Sequence, residues 1–327
     1  MRIFITGIAG FVARHFMEML ATHQRQYTVL GIYNSRKPHF SEDAFPQIHT
    51  TFKQVNLTDK SKVKTAIQEF NPDYILHLAS RSSVAYSWHQ PGELVAENTR
   101  IFLNIIESLR ELQSPCRMLS VGSAEEYGQV EASQLPLIET YCTNPVSPYG
   151  AARVLQHNLV SIYAKNFGLN LTHTRSFNHI GPYQNENFVI GSFIKQISKQ
   201  LNNGSKNIQL VVGDIEVIRD FTDVRDVVQA YYQLLLHGKQ GETYNVCSNK
   251  GYRLKDLIQL FAKLTDTEIT CHRDPHNLRP SENKEIIGSY DKLHAETGWT
   301  PKISIEQSMT DLLDYWKEKV SAEAIHT

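Results

Sequence analysis

The sequence predicts an α/β protein built on a doubly wound parallel sheet, with a smaller C-terminal lobe. Three observations lead there. Short β-rich runs alternate with helix-period runs through the first half of the chain. A turn of small residues joins the first strand to the first helix. Beyond Asn178 the alternation gives way to Gly-, Pro- and Asn-rich stretches between isolated helices.

Arg2–Thr6 (RIFIT) reads as the first strand. Phe11–Leu20 then sets Val12, Phe16, Met19 and Leu20 at helical spacing. Thr28–Tyr33 and Phe52–Val55 read as strands, and Thr58 or Asp59 as the cap of a helix running to Phe70. Tyr74–Leu78 is a buried strand, Val95–Leu112 a long helix and Met118–Val121 a further strand. Tyr149–Phe167 is a helix stopped by Gly168, and Leu169–Arg175 a strand. Later come a helix at Phe188–Leu201, a strand at Ile208–Val212 and a helix at Val224–Leu236 opened by Thr222 or Asp223. Arg253–Leu264 and Ile305–Trp316 complete the helices. Residues 1–178 are expected to form the main domain, with 215–248 returning to it, and 179–327 mainly the smaller lobe.

Composition narrows the function classes. The chain has 327 residues, 33 Lys+Arg against 34 Asp+Glu, and a formal net charge of -1, which gives no general attraction to nucleic acid or anionic membrane. No apolar run approaches the roughly 20 residues that span a bilayer. The first, Ile3–Val12, is broken by Thr6, Gly7 and Gly10 and has no signal-peptide cleavage site, so a cytoplasmic protein is expected. Cys116, Cys142, Cys247 and Cys271 form no CxxC pair and read as reduced thiols; no metal site is expected.

Parallel sheets bind ligands at the carboxyl ends of their strands. There, Thr6-Gly7-Ile8-Ala9-Gly10-Phe11-Val12-Ala13 lets the backbone approach a pyrophosphate, and the helix N-terminus offers free N–H groups to it. A Rossmann-type dinucleotide site is the consequence. Ala13 stands where a third glycine is usual, at a position that only packs helix on strand. After the second strand, Tyr33-Asn34-Ser35-Arg36-Lys37 carries no acidic residue to bind a ribose 2′-hydroxyl, so NADP(H) is preferred over NAD(H). The bland alternative is a basic solvated loop.

Val121-Gly122-Ser123-Ala124-Glu125-Glu126-Tyr127 follows a strand, and Ser147-Pro148-Tyr149-Gly150-Ala151-Ala152-Arg153 opens a helix. Tyr149 and Arg153, four apart, share a helix face. A phenol beside a fixed cation can exchange a proton with a carbinol while hydride moves to or from nicotinamide. Ser123 can donate to the same oxygen.

These residues resemble the extended short-chain dehydrogenase/reductase superfamily. Arg175-Ser176-Phe177-Asn178-His179-Ile180-Gly181-Pro182, Arg219-Asp220-Phe221-Thr222-Asp223-Val224-Arg225-Asp226, Tyr244-Asn245-Val246-Cys247-Ser248 and Leu278-Arg279-Pro280-Ser281-Glu282 narrow the resemblance to GDP-4-keto-6-deoxy-D-mannose reductases (GDP-rhamnose-forming) and, less closely, GDP-mannose 4,6-dehydratases. The resemblance implies Tyr149 as acid/base, with Ser123, Arg153 and Glu125 beside it. It places Gly7, Gly10, Phe11, Val12, Asn34, Ser35, Arg36, Asn56, Leu57, Leu78, Ala79, Ser80, Tyr149 and Arg153 around the cofactor. It places Ser83, Asn178, Val189, Lys195, Arg219, Arg279 and Glu282 around a nucleotide sugar. Arginines suit its diphosphate and Glu282 its ribose. Two residues besides Ala13 depart from the pattern: Arg153 replaces a lysine, and Asn56 an aspartate facing adenine.

The function implied is an NADP(H)-dependent reduction at C4 of a GDP-linked 4-keto-6-deoxy sugar. A 4,6-dehydratase or epimerase with retained cofactor, and a binding homologue weakened by Arg153, stay open; Glu125 stands where dehydratases carry a C5 base but occurs in reductases too. The resemblance also implies a homodimer through the 95–112 and 149–167 helices, whose apolar faces fit burial within one chain equally well. His77 reads as a core histidine, and Arg225 as paired with a neighbouring aspartate.

Overall fold

The computed structural model describes residues 1–277 and 283–325. In chain order its elements are β1 (Arg2–Thr6), α1 (Phe11–Ala21), β2 (Tyr27–Tyr33), β3 (Ile48–Gln54), α2 (Lys60–Phe70), β4 (Tyr74–His77), α3 (Val84–His89), α4 (Pro91–Glu111), β5 (Arg117–Val121), α5 (Pro148–Phe167), β6 (Leu171–Ser176), β7 (Asn178–Ile180) and α6 (Val189–Asn202). There follow β8 (Asn207–Val212), β9 (Ile218–Asp223), α7 (Val224–His237), β10 (Thr243–Val246), β11 (Gly251–Arg253), α8 (Leu254–Thr265), β12 (Glu268–Arg273), β13 (Glu285–Ile286), α9 (Asp291–Thr297) and α10 (Ile305–Ile325).

Seven strands form the main sheet in the order β10-β6-β5-β4-β1-β2-β3, every pair parallel. The order reverses between β1 and β4, which opens a crevice at their carboxyl ends. Helices cover both faces. One core joins α1 and α7 to the sheet through Phe16, Met17, Val228 and Tyr231. The other joins α2 and α4 through Val63, Ile67, Phe102 and Ile105. The central strands are buried on both faces, which is why they read as continuous apolar runs.

The smaller lobe has its own core, with Phe193, Ile194, Phe261, Leu312 and Trp316. It holds a small sheet in which β9 pairs with β7, β11 and β13, and a separate β8–β12 pair. The 215–248 stretch is shared: β9 lies in the small sheet, while α7 packs on the main sheet and β10 becomes its last strand. The expected return thus begins at Val224.

The structure decides between the two caps offered for α2 and for α7, and several boundaries lie elsewhere than expected for local reasons. Asp59, not Thr58, caps α2 by accepting from Lys62 N at 3.2 Å. Asp223 caps α7 by accepting from Arg225 N at 2.8 Å. α4 starts at Pro91, because proline suits a first helical turn whose N–H is unpaired anyway. β3 begins at Ile48, with exposed alternate residues that hide it from an apolar search. α10 continues beyond Trp316 to Ile325.

Candidate active site

The phosphate turn is built by close approach. Gly7 has φ +75, and a Cβ there would stand 2.9 Å from Ala79 N. Thr6 Oγ1 accepts from Leu78 N and Ala79 N, both at 3.1 Å, and ties the end of β4 to this turn. Gly10 opens α1 with no side-chain cap, so the first-turn amides of Phe11 and Val12 face the crevice end unclaimed by a capping side chain. Ala13 is fully buried in the core, where it packs helix on strand.

Asn34, Ser35 and Arg36 are exposed at the end of β2. Arg36 Nη2 donates to Ala9 O at 2.9 Å, which draws its cation back across the glycine turn. Asn56 is exposed, and its Oδ1 accepts from Thr58 N at 3.0 Å and Thr58 Oγ1 at 2.9 Å. Leu57 is buried beside it, and its carbonyl accepts from Asn104 Nδ2.

At the carboxyl end of β5, Ser123 Oγ accepts from Glu125 N at 3.2 Å and shapes a short turn over 124–126. The N-terminus of α5 lies against that turn: a Cβ on Gly150 would stand 2.7 Å from Glu125 O. Ser123, Glu125 and Tyr149 therefore meet at one corner. Tyr149 is 6% exposed and packs with Leu94 and Ala152. The Arg153 guanidinium lies over its ring, 5.0 Å from the centroid. Arg153 is buried; its Nη1 donates to Val121 O at 3.1 Å and its Nη2 to Ser80 Oγ. Arg153 Nε is enclosed and has no partner in the protein. The corner, the glycine turn and the uncapped helix end together fit a dinucleotide.

His77 is a core histidine, 2.9 Å from Thr6 Oγ1. Burial, and then the Arg153 charge, pushes its pKa down to about 3. The residue that sequence reasoning missed is Glu126, read only as the neighbour of Glu125. It is fully buried and bonded to His173, Arg175 and the Ser123 amide. Burial opposes its charge, but His173, Arg175 and that amide together hold its pKa below the ordinary carboxylate value.

The residues expected around a nucleotide sugar are divided between the main domain, which carries Ser83, and the smaller lobe. Ser83 caps α3 by accepting from Tyr86 N at 3.1 Å. Asn178 is exposed on β7 and Val189 at the start of α6. Lys195 pairs with Glu186 at 2.8 Å. Arg219 is half-buried on β9, and its Nη1 donates to Ile218 O at 2.8 Å. Arg225 is bound to Asp223 and Asp311, each at 2.7 Å. His179 stacks on Phe11, with centroids 5.6 Å apart, and joins the two lobes beside the glycine turn. Arg279 and Glu282 lie outside the described residues.

This combination of parallel sheet, glycine turn and Ser/Tyr/cation corner defines a class of nicotinamide-dependent enzymes. The family model described as GDP-mannose 4,6 dehydratase matches residues 4–312. The chain is 32% identical over 325 residues to GDP-6-deoxy-D-mannose reductase of Pseudomonas aeruginosa, covering 98% of this chain and 99% of that protein. It is 26% identical to dTDP-glucose 4,6-dehydratase of Haemophilus influenzae, covering 97% and 98%. The structure of RMD from Pseudomonas aeruginosa complexed with NADPH superposes with a TM-score of 0.84 at 31% identity, covering 97% of this chain and 99% of that one. The chain belongs to the GDP-mannose 4,6-dehydratase family of extended short-chain dehydrogenases/reductases, whose members modify nucleotide sugars with a nicotinamide cofactor. Among the described residues no helix is long and apolar enough to cross a membrane.

Proposed function

We propose that this protein reduces the 4-keto group of a GDP-linked 4-keto-6-deoxy sugar with NADP(H). The observation that carries the reading is the similarity, over nearly the whole of both chains, to GDP-6-deoxy-D-mannose reductase. The absence of a carboxylate in the 33–37 loop and the placement of Arg36 over the glycine turn favour a 2′-phosphorylated cofactor.

When bound, NADPH supplies hydride. Gly7, Gly10, Phe11 and Val12 hold the diphosphate of that cofactor, Asn34, Ser35 and Arg36 its phosphorylated ribose, and Asn56 and Leu57 its adenine side. Leu78, Ala79 and Ser80 flank it from the end of β4. Ser123 hydrogen-bonds the C4 oxygen, and Tyr149 gives it a proton. Arg153 lies over the Tyr149 ring. Arg219 and Lys195 take the nucleotide side, with Asn178, Ser83 and Val189 around the sugar. Leu155 and Ile162 leave an apolar stripe exposed on α5 beside α4, which fits pairing with a second copy.

Purified protein given NADPH and GDP-4-keto-6-deoxymannose should consume the absorbance of reduced nicotinamide. Absence of consumption with a panel of 4-keto nucleotide sugars overturns the reading. Turnover of a GDP-hexose with no net change in nicotinamide would favour a dehydratase or epimerase instead.

A further inference from the structure

Arg153 does not face Tyr149 unsupported. Its Nη1 also donates to Gln156 Oε1 at 2.6 Å, one helical turn on. Gln156 Nε2 donates to Ser120 Oγ at 2.7 Å on β5. Ser120 Oγ lies 3.0 Å from His173 Nδ1 on β6. Having accepted from Gln156, the hydroxyl has its proton to give to that ring nitrogen. His173 then turns a protonated Nε2 to Glu126 Oε1, 3.0 Å away. Glu126 also accepts from Ser123 N at 2.9 Å, which brings the chain back to the site. The bonds therefore run from Arg153 through Gln156, Ser120 and His173 to Glu126, where the Ser123 amide arrives from the other side; Val121 O takes a second bond from both Arg153 Nη1 and Gln156 Nε2. All four links are buried. Gly122 is where the fit is tightest: a Cβ there would fall 2.3 Å from both Glu126 Oε1 and His173 Nε2.

We propose that Gln156, Ser120, His173 and Glu126 are positioning residues that lock the Arg153 guanidinium over Tyr149 at one end and the Ser123 backbone at the other. The proposal deepens the proton-transfer reading given above and rests on it. An ammonium acts as a point charge, whereas a planar guanidinium must also be held in its plane. For Arg153 Nη1, Gln156 and Val121 O supply that orientation, and the buried chain in turn fixes the Gln156 amide. The four links tie α5, β5 and β6 to the 124–126 turn, so the phenol and the serine move as one unit.

The test must separate positioning from simple bracing of α5 against the sheet. Gln156→Met keeps the volume and removes all three side-chain bonds of Gln156, to Arg153, Ser120 and Val121 O. In arginine-labelled protein, the Arg153 guanidinium signals are identified by their loss in Arg153→Lys. The parent should show separate Nη resonances from hindered rotation, and Gln156→Met should average them. In the same variant kcat for keto-sugar reduction should fall about tenfold, with both KM values within about twofold, as for a group felt only in the transition state. Gln156→Glu returns the acceptor and should restore the separated signals and most of the rate. Ser120→Ala breaks the chain one link later and should give a smaller fall of the same kind; it carries the test if Gln156→Met does not fold. Separated signals with unchanged kcat, or a loss confined to Tm, overturns the proposal. Should the parent reduce no 4-keto sugar while the guanidinium still loosens in Gln156→Met, the reductase reading falls and the positioning chain stands.

Discussion

The two walls of the crevice are held by different physics. On the main-sheet wall, Arg153, Gln156, His173 and Glu126 are buried and bonded to one another. On the lobe wall, Lys195 is half-buried in a single ion pair with Glu186, and Asn178 and Val189 are exposed. Buried polar chains are costly unless every member is satisfied, and when satisfied they are rigid. Half-exposed ion pairs are weak and exchange partners readily. On the proposed function, the contrast puts preorganisation on the side where charge develops and adaptability on the side that admits a large anionic ligand.

The most damaging change should be Tyr149→Phe. It removes the proposed proton donor alone, so keto-sugar reduction should fall roughly a thousandfold while NADPH affinity, read by fluorescence titration, stays close to the parent. Loss of NADPH binding in that variant would break the division between the two walls. Next in size is Glu126→Gln, which leaves Arg175 buried without its counter-charge. Denaturant unfolding should show a loss of about 3 kcal/mol or more. Arg219→Met on the other wall should cost less stability than Glu126→Gln. It should raise the nucleotide-sugar KM about tenfold with little change in kcat, the signature of uniform binding.

The smallest effect is one of pH. His77 is pushed down to about 3 by burial and then Arg153, and His157 to about 4 by burial and then His173. Both rings stay uncharged in the folded chain and take protons on unfolding near the ordinary value of 6.5. Their contribution is full above that pH and is lost as pH falls toward their folded values. Tm should therefore drop steadily from pH 6.5 toward 4, and His157→Asn should make the slope shallower.

The same contrast governs what was legible in the sequence. β1, β4 and β5 announce themselves because strands buried on both faces must be apolar throughout. β7, β9, β11 and β13 do not: each spans two to six residues and carries residues such as Arg219 and Asp220. Asp220 itself accepts from Ser248 N, Asn249 N and Gly288 N, bonds that only the assembled lobe brings together. Tyr149 and Arg153 were visible because they lie four apart on one helix. Glu126 and His173 were not, because 47 positions separate them and only strand pairing brings them together. α3 was missed as well, since six residues with a polar start give too short a period to read.

β10 joins the main sheet only after the chain has travelled out through the smaller lobe and back. Every residue of β6, the strand it covers, is buried. A ribosome that has made residues 1–178 has therefore released a sheet with a raw inner edge, and nothing can close it until some 65 further residues have emerged. The lobe is thus no removable attachment: a chain cut at Asn178 would leave β6 as an open edge, free to pair with another strand.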